Sequence, residues 1–130
     1  MDRRELIGFL AGFPLFAALA QEIEAAPEPA PGADGAVGTK LLYENDSVKV
    51  WEFALDPGEA IPMHTHTMDY LFHVYQGSTL EVSFPGDKPK VSVALKDGDV
   101  RFIPQGARHM ARNTGEKRYV EVLVELKKQG

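Results

Sequence analysis

Short apolar runs separated by clusters of turn residues constrain the fold of this chain more than any other feature. From residue 40 onward, such runs alternate with turns at intervals of roughly 8–12 residues. In SVKVWEFAL, Trp51, Phe53 and Leu55 share one face. Strands with one apolar face need a second sheet to cover it, so the sequence predicts an all-β sandwich or barrel. A small jelly roll satisfies this and limits exposed edges. In YVEVLVEL the expected core face carries Val120, Val122, Val124 and Leu126, and the opposite face carries Glu121 and Glu125.

The first 39 residues do not follow the strand pattern. Arg3 and Arg4 precede an uncharged apolar run over residues 7–20. This run is shorter than the roughly 20 residues that cross a bilayer, and it fits the apolar core of a secretory signal. We therefore predict an N-terminal signal-like helix over residues 1–20. The alternative is an apolar helix that packs on the domain or anchors it.

A Pro/Ala/Gly-rich linker is predicted over residues 21–39 and a single folded domain over residues 40–127. Cleavage after Ala20 would leave Gln21 as the new N-terminus. The mature protein would then be periplasmic or secreted and would have no stable membrane span; without cleavage it would be cytoplasmic. An intact Met1 in protein from the periplasmic fraction would contradict cleavage.

Composition narrows the classes of function. The chain is 44% hydrophobic and 25% charged, and its net charge is −5. No basic patch is available to neutralise phosphates, which argues against nucleic-acid binding. Since there is no cysteine, disulfides, thiolate metal sites and a cysteine nucleophile are excluded.

Two segments end in histidine at corresponding places. In the first, Gly58 is followed after five residues by His64-Thr65-His66, and in the second, Gly98 leads to His109. Residues i and i+2 of a strand share a face, so His64 and His66 can hold one ion together. With His109 as a third ligand, the imidazoles would suit a divalent metal such as Fe, Zn, Cu, Ni or Mn.

These segments resemble the two sequence motifs of the cupin superfamily. The first motif reads G-x5-H-x-H-x3-4-E-x6-G, and the second reads G-x5-P-x-G-x2-H-x3-N. The first is matched by Gly58, His64, His66 and Gly77, and the second by Gly98, Pro104, Gly106, His109 and Asn113. The resemblance, over roughly residues 43–126, implies a single-domain cupin with a double-stranded β-helix fold. NDSVKVWEF and HTHTMDYLFHV are more narrowly similar to small cupins loosely labelled as β-alanine degradation proteins.

The chain departs from the first motif at its acid. Tyr70 stands where the family has Glu as the fourth ligand. Strand parity turns Tyr70 inward, either as a core residue or as a catalytic phenol that ligates, donates a proton or orients substrate. Asp69 and His73 have the opposite parity and would face outward, unless a bulge shifts the register by one residue.

The remaining expectations concern the pocket. We expect it to be lined by Phe53, Met63, Phe72, Val74 and Phe102 and to hold something small and partly apolar. Arg101, Arg108 and Arg112 are placed either at the mouth, facing an anionic substrate, or on the solvated surface.

Three functions compete. The first is a metal-dependent dioxygenase or isomerase-like enzyme acting on a small organic acid; iron is the first choice because three-histidine cupin sites resemble those of oxygen-using family members. The second is a non-catalytic sensor or scavenger of a small molecule or metal. The third is a structural barrel with a vestigial site. Small cupins also resemble dimer formers, so a homodimer is expected, with residues 40–55 as the candidate interface.

Overall fold

The computed structural model describes residues 34–128, and these residues form nine antiparallel strands and no helix. The strands are β1 (Lys40–Glu44), β2 (Val48–Leu55), β3 (Ala60–Thr65), β4 (Asp69–Gln76), β5 (Ser78–Ser83), β6 (Val91–Leu95), β7 (Val100–Ile103), β8 (Arg108–Asn113) and β9 (Tyr119–Leu126). The predicted all-β class is thereby confirmed. The predicted N-terminal helix and residues 21–33 of the linker lie outside the described residues.

Two sheets make up the fold. One has five strands in the order β1-β2-β9-β4-β7, and the other has four in the order β3-β8-β5-β6. Neighbours in each sheet are mostly distant in sequence, as in a double-stranded β-helix, where the chain crosses repeatedly between sheets. This topology places β3 and β8, which carry the two histidine segments, side by side.

The core lies between the sheets. Trp51, Phe53 and Leu55 of β2 are buried, as the alternation predicts, and so are Tyr70, Phe72 and Val74 of β4. Core side chains lie two residues apart along each strand and align across neighbouring strands: Leu123 of β9 lies opposite Trp51 of β2 on one side and Phe72 of β4 on the other.

The prediction for β9 is wrong, because the other face of the strand points into the core. Tyr119, Glu121, Leu123 and Glu125 are buried. Val120, Val122, Val124 and Leu126 are only half-buried, on the outer face of the five-stranded sheet. Hydrophobicity alone favours the Val face inside, but register is shared with neighbouring strands. Inward-facing Phe53 and Val74 lie opposite Glu121, so the carboxyl group must face inward as well.

Residues 34–39 pack on the barrel, although the sequence places them in the linker. Val37 belongs to the hydrophobic core. The Asp34 carboxylate accepts hydrogen bonds from the Thr65 hydroxyl and from Arg108, whose Nη2 lies 2.6 Å from Oδ1. A Cβ on Gly38 would lie 2.6 Å from the Cβ of Trp51, so this position requires glycine for close approach. The segment therefore ties β3 to β8 next to the histidines.

No helix in residues 34–128 is long and apolar enough to cross a membrane.

Candidate metal centre

Three histidine side chains converge inside the barrel. His64 lies on β3, His66 follows that strand, and His109 lies on β8 directly opposite His64. The Nε2 atom of His66 is 3.2 Å from Nε2 of His64 and 3.1 Å from Nε2 of His109. All three ligand atoms lie within 4.8 Å of one another. The structure thus brings together the three residues that the sequence analysis assigned to a metal.

The backbone explains why both residues of the His-x-His pair point inward. The register of β3 against β8 shifts between Ile61 and His64, and this bulge lets these two residues, three positions apart, both face inward. His66, two residues after His64, then shares its inward face. Beyond the end of β3, the amide of His66 donates to Ala107 O and its carbonyl accepts from Gly106 N, each at 2.8 Å. These two bonds hold His66 as rigidly as a strand residue.

The geometry fits a divalent cation. An ion about 2.0–2.1 Å from each imidazole nitrogen holds neighbouring nitrogens roughly 2.8–3.4 Å apart, for octahedral to tetrahedral angles. The separations of 3.1 and 3.2 Å lie in that range. His64 Nδ1 is 2.8 Å from Pro62 O; donating its proton there leaves the Nε2 lone pair directed at the cluster.

The protonation of the three imidazoles also favours a cation. Burial lowers the pKa of His64, and it lowers the pKa of His66 to about 3, with His64 and His109 adding to the effect. Burial and the nearby His64 lower the pKa of His109 to about 4. All three rings are therefore neutral at pH 7, the form that binds metal.

Tyr70 packs on the cluster. Its ring stacks on the imidazole of His66, with centroids 3.9 Å apart and planes inclined by 15°. Burial, together with the charge of Glu121, raises the pKa of its phenol, so Tyr70 keeps its proton. Where the family has an acid, this chain therefore has a neutral phenol ring, which stacks on His66, one of the three candidate metal ligands.

Asp69 and His73 stay away from the cluster. The pairing of β4 with β9 is regular from Asp69 to Val74, so no bulge turns them inward. Asp69 Oδ1 accepts a hydrogen bond from Gln105 N at 2.8 Å. The His73 ring packs edge-on against Tyr75. Among the described residues, the cluster consists of three neutral histidines without a carboxylate.

A cavity of about 150 Å³ adjoins the histidines and is lined by residues from both sheets. Phe53 and Phe72 line it, as expected. The expectation is corrected for three residues. Phe102 is 57% exposed on the outer face of β7, and Met63 is half-buried, with its side chain outside the lining. Val74 is fully buried in the core, also outside the lining.

Two charged residues also line the cavity: Glu121, which the sequence put on the face of β9 opposite the expected core, and Arg101, one of the three arginines considered for the mouth. Glu121 is 5% exposed, and the hydroxyl of Tyr119 donates to its Oε1. Arg101 reaches the cavity from the edge strand β7. The signal for Glu121 in the sequence was its shared parity with Tyr119 and Leu123 on β9. The other two arginines act elsewhere: Arg108 pairs with Asp34, and Arg112 donates to Gly58 O.

The residues of the second motif mainly shape the backbone around the site. Gly98 and Gly106 have φ of +89° and +118°, which non-glycine residues rarely adopt. Asn113 is fully buried. Its Nδ2 donates to Leu55 O and Lys117 O, and its Oδ1 accepts from Ser78 Oγ and Gly115 N.

A double-stranded β-helix with three inward histidines defines a class of small β-barrel proteins. The cupin domain family matches residues 51–124, more than half of the chain, and the protein belongs to that family. The predicted resemblance is thus confirmed. A comparison with curated proteins gives no match.

Solved structures agree on the fold. A cupin domain from Bordetella pertussis Tohama I is 29% identical with a TM-score of 0.64, covering 73% of this chain and 96% of that one. An RmlC-like cupin from Methanocaldococcus jannaschii is 17% identical, with a TM-score of 0.57 and coverage of 81% and 92%. The polyketide cyclase RemF from Streptomyces resistomycificus is 20% identical, with a TM-score of 0.56 and coverage of 84% and 77%. At 17% and 20% identity, the likeness concerns the fold alone.

Proposed function

We propose that this protein binds one divalent metal ion through His64, His66 and His109 and uses it to act on a small organic acid. The observation that carries the proposal is the convergence of three neutral imidazoles, with Nε2 of His66 3.2 Å from that of His64 and 3.1 Å from that of His109 and all three ligand atoms within 4.8 Å of one another. Iron is the first choice, and Mn, Ni, Zn or Cu would fit the same ligands. The reaction class we favour is that of a dioxygenase or an isomerase-like enzyme.

The charge of the proposed metal centre explains why we propose an organic acid as the substrate. Three neutral ligands leave a divalent cation with its full charge, whereas a glutamate ligand would neutralise part of it. Such a centre attracts an anionic ligand into a cavity with an apolar lining. Arg101 in the lining adds a second cation for a carboxylate. The metal would polarise a bound oxygen atom or, as iron, supply redox chemistry.

The chain's own residues would hold and shape the site. The Pro62 carbonyl orients His64, and the ring of Tyr70 holds His66 in place from one side. Phe53, Phe72 and Leu123 exclude water from the cavity between the sheets. Tyr70 is also the phenol that we propose donates a hydrogen bond to a bound ligand and so orients it, because it lines the cavity and keeps its proton.

A non-catalytic metal or small-molecule binder is the second candidate. It is favoured by Tyr70, which replaces the family's acid with a stacked neutral ring and so removes a carboxylate that could act as a base. A structural barrel with a vestigial site is the third. We further propose that the protein is a homodimer.

Elemental analysis of untagged protein tests the metal site. After incubation with Fe, Mn, Ni, Cu or Zn, the wild type should retain one ion per chain, whereas His64→Ala and His109→Ala should lose it. His73→Ala is the matched control, because this histidine lies on the outer face and should leave the metal content unchanged. A wild type that retains no stoichiometric metal would refute the proposal.

Two measurements then separate the candidate functions. Oxygen uptake with a panel of small organic acids would indicate a dioxygenase, and conversion of an acid without oxygen uptake, followed by NMR, would indicate an isomerase-like enzyme. Neither effect with metal bound would favour the binder. If Tyr70→Phe binds metal as tightly as the wild type, Tyr70 is not a ligand, and a selective loss of turnover would assign it to catalysis.

A further inference from the structure

Glu121 is a carboxyl group placed inside the cavity, on the sheet opposite the three histidines. It lies on β9 in the five-stranded sheet, whereas His64 and His109 lie in the four-stranded sheet. Within residues 34–128, the carboxyl group of Glu121 takes part in one hydrogen bond, which the hydroxyl of Tyr119 donates to Oε1. A carboxylate can accept about four hydrogen bonds. Glu121 therefore has acceptor capacity left in a cavity where few polar groups can use it.

Glu125, on the same strand, provides a comparison: it is a buried carboxyl group that bonds within the protein core and does not face the cavity. It has the same face and a similar burial, at 3% exposed against 5% for Glu121. The indole Nε1 of Trp51 donates to its Oε1 at 2.8 Å, and Glu125 does not line the cavity. Burying a carboxyl group costs free energy unless it has partners. Glu125 has such a partner in the protein core, whereas Glu121 faces the space that a ligand would occupy.

The size and lining of the cavity limit that ligand. A cavity of about 150 Å³ is the size of one that admits benzene. Its walls are mainly apolar, with Phe53, Phe72, Leu80, Leu95 and Leu123 among them. Pockets of this kind bind through apolar contact and use a few polar groups to fix orientation.

We propose that Glu121 is the polar anchor of the cavity and accepts a hydrogen bond from a hydroxyl group on a small, largely apolar ligand. The inference rests on the proposed function, since it adds a hydroxyl to the organic acid described above. A carboxylate repels a second carboxylate, so the acid group of that ligand would lie towards the metal or Arg101 and its hydroxyl towards Glu121.

The charges of the groups around Glu121, and its own protonation state, decide when it can accept a hydrogen bond from a ligand. Tyr119 beside it and Tyr70 on β4 are neutral, Arg101 on β7 is cationic, Asp99 precedes β7, and the histidines face it from the other sheet. Burial raises the pKa of Glu121 to about 7, against the lowering effect of the Tyr119 hydrogen bond. Binding of a hydroxyl to the ionised form should therefore strengthen as pH rises through about 7.

Phenol and toluene are suitable probes, because they have nearly the same size and differ in one hydroxyl group. Both are neutral, which keeps Arg101 out of the comparison. The full chain, stripped of metal with EDTA, is titrated with each probe at pH 8 by ligand-observed NMR. A hydrogen bond to a charged group predicts that the wild type prefers phenol by roughly tenfold or more. Glu121→Leu should abolish the preference, and Glu125→Gln should retain it.

The result that overturns the proposal is a phenol preference that survives in Glu121→Leu, or a wild type that binds phenol and toluene equally or binds neither. If Glu121→Leu fails to fold, infrared difference spectra of Glu121→Gln replace it. Adding phenol to the wild type should shift a carboxylate band, and this shift should be missing from Glu121→Gln; its presence there would equally refute the role of Glu121.

Using metal-free protein separates this inference from the proposed metal site. A protein that never binds metal but keeps a Glu121-dependent preference would refute the proposed function and leave the anchor in place. A protein that binds metal but shows no preference would refute the anchor alone.

Discussion

At the scale of single residues, Asn113 is the most heavily bonded side chain of the site's surroundings. Its amide joins β8 to the end of β2, to β5 and to the turn before β9 through four hydrogen bonds of 2.7–2.9 Å. Since it is fully buried, water cannot replace those partners. Asn113 thus links three segments that the fold brings together.

Asn113→Ala should lower the free energy of unfolding by about 3 kcal/mol, because each buried group left unpaired costs about 1–3 kcal/mol. Urea denaturation measures the change. Asn45→Ala is the control: its Oδ1 accepts from Ser47 N and Val48 N in an exposed turn, and it should cost about 1 kcal/mol or less. Equal losses in the two variants would show that burial does not set the cost.

At the residue scale, strand spacing together with the resemblance to the two motifs was enough to predict that the three histidines of the candidate metal centre converge. The His-x-His pair and the distant His109 were predictable because a strand repeats every two residues and the motif fixes the order of the segments. The stacking of Tyr70 on His66 was not predictable, since two side chains of suitable parity can meet edge-on, stacked or not at all, and only the packing around them decides.

At the scale of elements, β9 shows where pattern reasoning fails. Its valines face outward and its two glutamates inward, because the register with β2 and β4 applies to the whole strand at once. A sequence pattern weighs each side chain by its own hydrophobicity. In the structure all eight pairs of the ladder share one register, so Glu121 faces inward together with Phe53 and Val74, which lie opposite it.

The inward position of Glu121 predicts a pH-dependent stability. Its pKa rises from the ordinary value of 4.5 to about 7 on folding. Between those pH values the unfolded chain has lost the proton and the folded chain still holds it, so stability falls as pH rises from about 4.5 to 7. The total loss is at most about 3 kcal/mol, at 1.4 kcal/mol per unit of pKa.

Glu121→Gln should remove this loss. The difference in the free energy of unfolding between wild type and Glu121→Gln, measured by denaturation of metal-free protein at pH 5 and pH 8, should shift in favour of the variant at the higher pH. The buried histidines titrate in both proteins, so their contribution cancels in the difference. A difference that does not change with pH would contradict the assigned burial of Glu121.

At the scale of the whole molecule, the two-sheet architecture and its single core followed from alternation and from turn spacing. The packing of residues 34–39 did not, because a segment rich in small residues gives no strand signal. Val37 and Asp34 are held by tertiary contacts with the core and with Arg108. A local sequence pattern does not predict such contacts, because they depend on how distant strands pack in the folded barrel.

The proposed homodimer is also a property of the whole molecule. The candidate interface, residues 40–55, contains β1, which is an edge strand of the five-stranded sheet. An edge strand offers unpaired backbone groups to a second copy. On β1, Tyr43 is 45% exposed, and on the opposite edge strand, β7, Val100 is 64% exposed.

Light scattering should give twice the chain mass for the wild type. Tyr43→Glu should shift the protein towards the monomer by placing a charge in the interface, while Val100→Glu, on the other edge, should leave the dimer intact. A reversal of the two effects would move the interface to β7, and a monomeric wild type would refute the dimer.

The hydrogen bond between Trp51 and Glu125 has a practical consequence. Trp51 is the single tryptophan of the chain, and its indole is buried with its N–H bound to a carboxyl group of the neighbouring strand. Intrinsic fluorescence therefore reports on one place, the alignment of β2 with β9. The emission of this one chromophore gives an optical signal of whether the strand that carries Glu121 has found its native partner during refolding.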